Sequence, residues 1–161
     1  HILGKSPVIN DNGNVIIESA AITTYIIDQY APSGFAPNQD NEDYYKYLEL
    51  MHYAEGSAML PLLLLLYSSS LGENAAPLYD RIFSEIHLHL GYLSRCLGKD
   101  EFFFRNNFSG LDTMLSYVLE AAKISDSLKT FPNLVDALNR YQSRPAYKKA
   151  LDKGGEYILG S

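Results

Sequence analysis

The chain has 161 residues, of which 47% are hydrophobic and 20% are charged, and its formal net charge is −6. This length fits one domain, or one domain and part of another, with enough apolar residues for a buried core. The acidic balance and the scatter of basic residues along the sequence argue against a nucleic-acid-binding protein. The single cysteine, Cys96, excludes an intramolecular disulfide and is typical of a reducing compartment.

The first part of the chain predicts a β-hairpin that leads into a helix. Residues 8–9 and 15–17 are rich in β-branched side chains, and the Asn12-Gly13 pair between them is a strong signal for a two-residue turn. Isoleucines at helical spacing follow and predict a helix over residues 19–30.

A segment rich in proline and glycine divides the chain into two predicted units. Two prolines and a glycine break the helical pattern within residues 32–40, which we interpret as a linker. Residues 1–31 then form a small unit that contains the strands. Apolar residues recur at helical spacing through residues 41–161, which predicts an all-helical second domain.

Prolines also mark positions within the helical domain. Pro61 is expected to kink or interrupt the first helix because it lacks a backbone donor. Residues 68–76 are predicted to form a loop, and Pro132 and Arg144-Pro145 mark two later helix starts. The leucine run at residues 62–66 is far shorter than the ~20 residues that a membrane-spanning helix needs, so we interpret it as a buried helix segment and expect no transmembrane segment.

The pair Glu18-Ser19, between the hairpin and the first helix, is the feature most suggestive of a ligand. Ser19 is a good N-cap residue, because its hydroxyl can accept a hydrogen bond from a free N–H of the first turn. The helix start also carries partial positive charge and unpaired N–H groups, which attract a carboxylate. Glu18 can pair with an ammonium group. The pair therefore predicts a site for an α-amino acid end, although the same dipeptide also opens helices that bind nothing.

With its neighbours, this pair resembles the glutathione S-transferase family. The family pattern includes Gly-Lys-x-Pro, two short strands and then Glu-Ser-x-x-Ile, which stand here as Gly4-Lys5-Ser6-Pro7 and Glu18-Ser19-Ala20-Ala21-Ile22. Tyr53-Ala54-Glu55-Gly56-Ser57 resembles a fungal and bacterial branch of the family, and Ser109-Gly110-Leu111-Asp112 resembles its capping motif. Ile2 stands where the family usually has proline. The resemblance spans essentially the whole chain.

The resemblance implies an architecture that is α+β and then all-α. It consists of the C-terminal part of a thioredoxin-like domain, made of a β-hairpin and a helix, followed by the all-helical C-terminal domain of a glutathione transferase. Family members begin with a strand, a helix, a strand and a helix that would precede His1, so we expect the chain to be N-terminally incomplete. The tyrosine, serine or cysteine that activates the glutathione sulfur is expected in that segment, so the catalytic residue stays unassigned.

The resemblance also implies which residues hold glutathione. Lys5 meets the glycyl carboxylate, and Ser6, ahead of a cis Pro7, offers its backbone to the cysteinyl part. Glu18 and Ser19 hold the γ-glutamyl end. For Lys5, the alternative is a solvated surface lysine.

The implied function is conjugation of glutathione, as co-substrate and with no metal, to hydrophobic electrophiles. The family further implies a cytoplasmic homodimer engaged in detoxification, with no nucleic-acid partner. Two alternatives stay open. One is a non-catalytic interaction module with the same fold, since fold does not fix function; the other is a glutathione-dependent thiol transferase or peroxidase.

Several other polar residues have a structural and a functional interpretation. Glu55 lies near the buried stripe of its helix, so it is either a group at the active-site cleft or part of an interface ion pair. Ser109 and Asp112 have capping-box spacing and are interpreted as structural. His87 and His89 point to different sides of a helix and do not form a metal pair.

Overall fold

The computed structural model of the protein describes residues 1–104 and 106–155. Arg105 and residues 156–161, which the sequence assigns to the helical domain, lie outside the described residues. The elements follow in chain order: β1 (Val8–Asp11), β2 (Asn14–Ile17), α1 (Ser19–Tyr30), α2 (Tyr44–Tyr53), α3 (Met59–Ser69), α4 (Ala76–Leu97), α5 (Gly110–Ile124), α6 (Pro132–Ser143) and α7 (Pro145–Gly154). A π turn (Ala54–Ala58) joins α2 to α3, and short 3-10 turns (Gly72–Ala75 and Ser127–Thr130) precede α4 and α6. The architecture confirms the predicted hairpin, helix and all-helical remainder.

The hairpin is an antiparallel pair in which Val8 lies opposite Ile17. Its turn residues Asn12 and Gly13 have φ values of 52° and 92°. Positive φ at both central positions is what a two-residue turn of this kind requires, because it matches the twist of the flanking strands. The Asn12-Gly13 signal in the sequence therefore predicted this turn correctly.

The carboxylate of Asp11 joins the hairpin to α1. It accepts hydrogen bonds from the hydroxyl groups of Tyr30 and Tyr25, the latter at 2.8 Å. The bond from Tyr30 contributes most to lowering the pKa of Asp11. These contacts fix the direction in which α1 leaves the hairpin.

The core of the helical domain consists of apolar side chains at the helical spacing that the sequence shows. The α4 stripe Ile82, Ile86, Leu90, Leu93 and Leu97 is buried, and so are Leu111, Leu115, Val118 and Leu119 of α5 and Leu134, Leu138 and Tyr141 of α6. These stripes confirm the helices predicted from periodicity.

Pro61 does not end the helix in which it lies. The chain stays helical from α2 to α3, and the irregularity is the π turn at Ala54–Ala58, where the N–H of Met59 donates to the carbonyl of Ala54. A π turn is one of the defined ways in which a helix absorbs an extra residue, and it often marks a functional site. The expected disturbance is therefore present, but it precedes the proline.

The leucine run belongs to a much longer helix than the sequence suggested. The 26 residues of Tyr44–Ser69 form, among the described residues, one helix long and apolar enough to cross a membrane by length and composition, with a mean hydropathy of 1.2. Core helices of soluble proteins pass the same test, and 39% of the apolar window is buried here. The buried residues are Tyr47, Leu50, Met51, Ala54, Ala58, Met59, Pro61, Leu62 and Ser68. Within the leucine run only Leu62 is buried, and Leu64 and Leu66 are exposed, so the prediction of a buried segment is wrong for most of the run.

The segment predicted as a loop at residues 68–76 is mostly helical. Helix α3 extends to Ser69, and Gly72–Ala75 forms a 3-10 turn that leads directly into α4. The hydroxyl groups of Ser68 and Ser69 donate to the carbonyls of Leu65 and Leu66 within α3. The serines can therefore stay in the last turn of the helix, where the sequence favoured a loop.

A buried carboxylate holds the start of α5. Asp112 and Ser109 are both 0% exposed, and they form the predicted capping box. The N–H and hydroxyl of Ser109 each donate to Asp112 Oδ2 at 2.9 Å. Asp112 Oδ1 accepts the N–H of Phe103 at 3.0 Å and the hydroxyl of Tyr141 at 2.7 Å. One side chain thus connects the start of α5 to α6 and to the segment after α4.

Helix α1 meets the helical domain at Gly110, the first residue of α5. A Cβ atom at this position would lie 2.5 Å from Ile27 Cδ1 and 2.6 Å from the Tyr47 hydroxyl oxygen. The N–H of Gly110 donates to the carbonyl of Phe35 at 2.9 Å. The absence of a side chain at Gly110 therefore permits close packing between the two parts of the chain.

We expect replacement of Asp112 by alanine to lower the free energy of unfolding by about 3 kcal/mol or more, because it leaves several buried donors without a partner. Urea denaturation measures the change. Asp136→Ala, at an exposed position of α6, is the matched control and should stay within about 0.5 kcal/mol of the parent protein. A cost below about 1 kcal/mol for Asp112→Ala would show that this carboxylate does not hold the fold as described.

We expect Gly110→Ala to cost about 1–3 kcal/mol of stability, since Ile27 and Tyr47 must move to admit the new methyl group. Gly91→Ala is the control, because its added Cβ would lie 3.5 Å from Arg95 Nη1, an ordinary contact. That variant should gain up to about 1 kcal/mol from helix propensity. Equal effects of the two substitutions in urea denaturation would contradict close packing at Gly110.

Candidate functional site

The hairpin brings the two halves of the predicted binding motif together. The Ser6-Pro7 peptide bond is cis, as predicted, and Pro7 immediately precedes β1. Because Val8 pairs with Ile17, continuing the antiparallel register by one step places Pro7 beside Glu18. Pro7 and Glu18, eleven positions apart in sequence, therefore meet at one end of the hairpin.

Glu18 adopts an unusual backbone conformation at this position, with φ 73° and ψ 121°. The other described non-glycine residues with positive φ are Asn12, Asn106 and Asp126, whose short polar side chains tolerate it. The longer side chain of a glutamate does not stabilise this backbone conformation in the same way, so the conformation lowers the stability of the folded state. Non-glycine residues held in such regions cluster at functional sites.

The start of α1 differs from the prediction for Ser19. The structure makes Glu18 the N-cap residue and Ser19 the first residue of the helix, since the Glu18 carbonyl already accepts the N–H of Ile22 at 2.9 Å. No side chain caps this helix start among the described residues, and its first turn has no acidic residue. The N–H groups there remain available to a carboxylate.

Glu55 lies close to Glu18 in space. Desolvation raises the pKa of Glu55, and the negative charge of Glu18 raises it further. Glu55 is nevertheless exposed to solvent. Of the two interpretations of Glu55, this proximity favours a group at the cleft over an interface ion pair. Glu55 also lies in the π turn, which changes its direction relative to a regular helix.

Two tyrosines extend the same region along α3 and α5. Burial raises the pKa of Tyr117, and the charges of Glu55, Glu120 and Tyr67 raise it further, in that order. Tyr117 is nevertheless 42% exposed and Tyr67 is 67% exposed. The sequence analysis missed both residues. Tyr117 lies outside the buried stripe of α5. A tyrosine at such a position is the sequence feature that could have indicated it.

The remaining predicted site residues are exposed. Lys5 and Ser6 lie on the surface ahead of β1, and the described residues offer Lys5 no hydrogen bond or ion pair. Lys5 therefore can reach a ligand, but the structure does not bring it to a defined partner. Within residues 1–104 and 106–155, no group of three or more His, Cys, Asp and Glu side chains is placed to hold a metal ion.

A groove of about 670 Å³ separates α1 and the connecting segment from α2. Its walls include Ala20, Thr24, Tyr44, Met51 and His52. Ala21 of α1, one turn from Glu18, also lines the groove. The groove is mainly apolar, which distinguishes it from the charged end of the hairpin.

Comparisons with known proteins concern the chain as a whole. No family model matches the chain. Glutathione S-transferase 3 of Schizosaccharomyces pombe is 29% identical over 166 aligned residues, which cover 94% of this chain and 68% of that protein. The chain is therefore similar in sequence to a glutathione S-transferase over nearly its whole length.

Solved structures of glutathione S-transferases share the fold. One from Actinobacillus pleuropneumoniae superposes with a TM-score of 0.82 at 26% identity, covering 95% of this chain and 70% of that chain. A sphingomonad glutathione S-transferase solved in complex with glutathione gives a TM-score of 0.80 at 26% identity, covering 97% of this chain and 77% of that one. The hairpin, α1 and the helical domain therefore have the fold of the corresponding parts of these glutathione S-transferases.

The strain at Glu18 can be measured through stability. We expect Glu18→Gly to be more stable than Glu18→Ala by about 1 kcal/mol or more, because only glycine adopts this φ without cost. At Gln29, an exposed residue within α1, the order should invert, with glycine about 1 kcal/mol less stable than alanine. The same order at both positions in thermal or urea denaturation would exclude backbone strain at Glu18.

Proposed function

We propose that this glutathione S-transferase conjugates glutathione to hydrophobic electrophiles, using the end of the hairpin to hold glutathione. The observation that carries the proposal is the strained Glu18, which the hairpin register places beside the cis Ser6-Pro7 bond at the uncapped start of α1. This arrangement matches a ligand that has an ammonium group and a carboxylate on one carbon.

Each part of glutathione then has a partner of complementary chemistry. The Glu18 carboxylate pairs with the γ-glutamyl ammonium, and the N–H groups of the first turn, from Ser19 onward, receive the γ-glutamyl carboxylate. The backbone of Ser6, exposed beside Pro7, hydrogen-bonds the cysteinyl peptide. Lys5 attracts the glycyl carboxylate as a point charge on a flexible stem, which needs no fixed geometry.

Binding in this orientation leaves the thiol free to react. The thiol gives up its proton, the resulting thiolate forms a sulfur–carbon bond to the electrophile, and the leaving group departs with its bonding electrons. The residue that stabilises the thiolate stays unassigned. The helical domain supplies the wall on which a hydrophobic electrophile rests.

The wider properties of the protein are proposals of the same kind. We infer a homodimer, as the resemblance to the glutathione S-transferase family implies. We also infer a cytoplasmic role in detoxification without a metal, a nucleic acid or a membrane span. In this view the long apolar helix Tyr44–Ser69 serves as a core helix, and its exposed part faces a substrate.

We expect Glu18→Ala to raise the KM for glutathione about tenfold or more in the full-length protein, which corresponds to about 1.4 kcal/mol of lost binding. The change in kcat should be smaller, because the ammonium lies far from the reacting sulfur. Asp28→Ala removes the same charge from the exposed side of α1 and is the control. An unchanged KM would remove Glu18 from the glutathione site.

The same assay separates the alternative functions. An interaction module would show no conjugation with any electrophile. A thiol transferase or peroxidase would reduce a mixed disulfide or a peroxide with glutathione but would form no thioether product.

A further inference from the structure

The turn of the hairpin contains a dipeptide that can react with itself. Asn12-Gly13 is the one Asn-Gly pair in the sequence, and both residues are exposed. Asparagine is chemically labile, because the backbone nitrogen of the next residue can reach its side-chain carbonyl carbon. A glycine leaves that nitrogen unobstructed, and a Cβ atom at Gly13 would have no atom of the described residues within 4 Å. The surroundings therefore leave room for a reaction in the turn.

The reaction at this dipeptide needs only water as a co-reactant. The backbone nitrogen of Gly13 loses its proton and bonds to the side-chain carbonyl carbon of Asn12. The bond from that carbon to Asn12 Nδ2 breaks, and Nδ2 takes up a proton and leaves as ammonia. Water then opens the cyclic imide at either of its carbonyl carbons. The product is aspartate, or isoaspartate, in which the main chain runs through the side-chain carbons.

Two hydrogen bonds within the hairpin hold the groups that must react. The N–H of Gly13 donates to Asn10 Oδ1 at 2.9 Å, which keeps the proton on the attacking nitrogen. Asn12 Nδ2 donates to Asp11 Oδ1 at 3.0 Å, which restrains the side-chain amide. Both bonds are exposed to solvent. Because water can replace either partner, each bond restrains its group only weakly, so the turn slows the reaction without preventing it.

From these contacts we propose that Asn12 is a site of spontaneous deamidation and that Asn10 sets its rate. The attacking nitrogen of Gly13 becomes free only when its bond to Asn10 opens. Asn10 therefore acts on the reaction through a single acceptor oxygen. The modification takes place in the hairpin alone and needs neither glutathione nor a second substrate.

The isoaspartyl product changes the hairpin more than the aspartyl product does. It inserts an extra carbon into the main chain of a turn whose two residues have φ values of 52° and 92°. An ordinary aspartate keeps the normal main chain and tolerates positive φ. The neighbouring Asp11 accepts hydrogen bonds from the hydroxyl groups of Tyr25 and Tyr30 of α1. A distorted turn therefore loosens the hairpin from α1.

Peptide mapping by mass spectrometry follows the reaction in the full-length protein during incubation at neutral pH. We expect Asn12 to convert faster than Asn38, which is also exposed but precedes Gln39, whose side chain obstructs the backbone nitrogen. The rate should rise with pH, because the attacking nitrogen must lose its proton. Isoaspartyl methyltransferase with labelled S-adenosylmethionine detects the isoaspartyl product. Equal conversion of Asn12 and Asn38 would overturn the proposal.

The variant Asn10→Ala tests the restraint on Gly13. It should raise the rate at Asn12 about fivefold, which corresponds to about 1 kcal/mol, the net contribution of one hydrogen bond. Asn74→Ala, at an exposed asparagine before α4, is the matched control and should leave the rate unchanged. An unchanged rate in Asn10→Ala would overturn the role of Asn10. A rate equal to that of the parent protein unfolded in urea would also overturn it, because the whole hairpin would then provide the restraint.

The effect on the hairpin is measured on the separated products. The isoaspartyl form, isolated by chromatography, should unfold at a lower temperature than the variant Asn12→Asp. These two proteins carry the same charge and differ only in the path of the main chain at the turn. Equal unfolding temperatures would overturn the distortion of the hairpin by the isoaspartyl product.

Discussion

The structure depends on one buried carboxylate, Asp112. An ionised group in an apolar interior is costly unless its oxygens are fully hydrogen-bonded. Here both oxygens are occupied by donors from Ser109, Phe103 and Tyr141. Because these donors come from three separate segments, the charge can be satisfied only when α5, α6 and the segment after α4 are all in place. The cap thereby couples local helix formation to the packing of the whole helical domain.

The capping box at Ser109 and Asp112 determines where α5 begins. This position in turn determines where the candidate functional site lies. Gly110 lies directly after Ser109, and it is the point at which α1 packs against the helical domain. Helix α1 begins at Ser19, directly after Glu18, while α5 carries Tyr117 about two turns from Gly110. The same contact therefore fixes the position of the residues proposed to hold glutathione relative to α5. A change in the packing at Gly110 would move the two parts relative to each other.

Local signals in the sequence were sufficient for the elements and for part of the site. Asn12-Gly13 determines its turn through backbone preference, and the stripe of α4 determines its helix through spacing, so both could be predicted. Ser19 was misassigned because the positive φ of Glu18 shifts the helix start by one residue, and no propensity rule favours a glutamate there. Tyr117 was missed for a different reason. Its role depends on Glu55 and Tyr67, which are distant in sequence, and periodicity identifies only which face is buried.

The contrast between the starts of α5 and α1 bears on function. At α5, a serine and an aspartate form a capping box and are buried. At α1, the chain accepts a strained glutamate, leaves the first turn without a side-chain cap and holds a second carboxylate, Glu55, close to the first. Each of these features opposes folding, and none is relieved by a contact within the described residues. A ligand with an ammonium group and a carboxylate would relieve the mutual repulsion of the glutamates and pair the free N–H groups at once. In the proposed site, ligand binding would offset the stability given up at Glu18, which is the relation expected when strain is concentrated at a binding site.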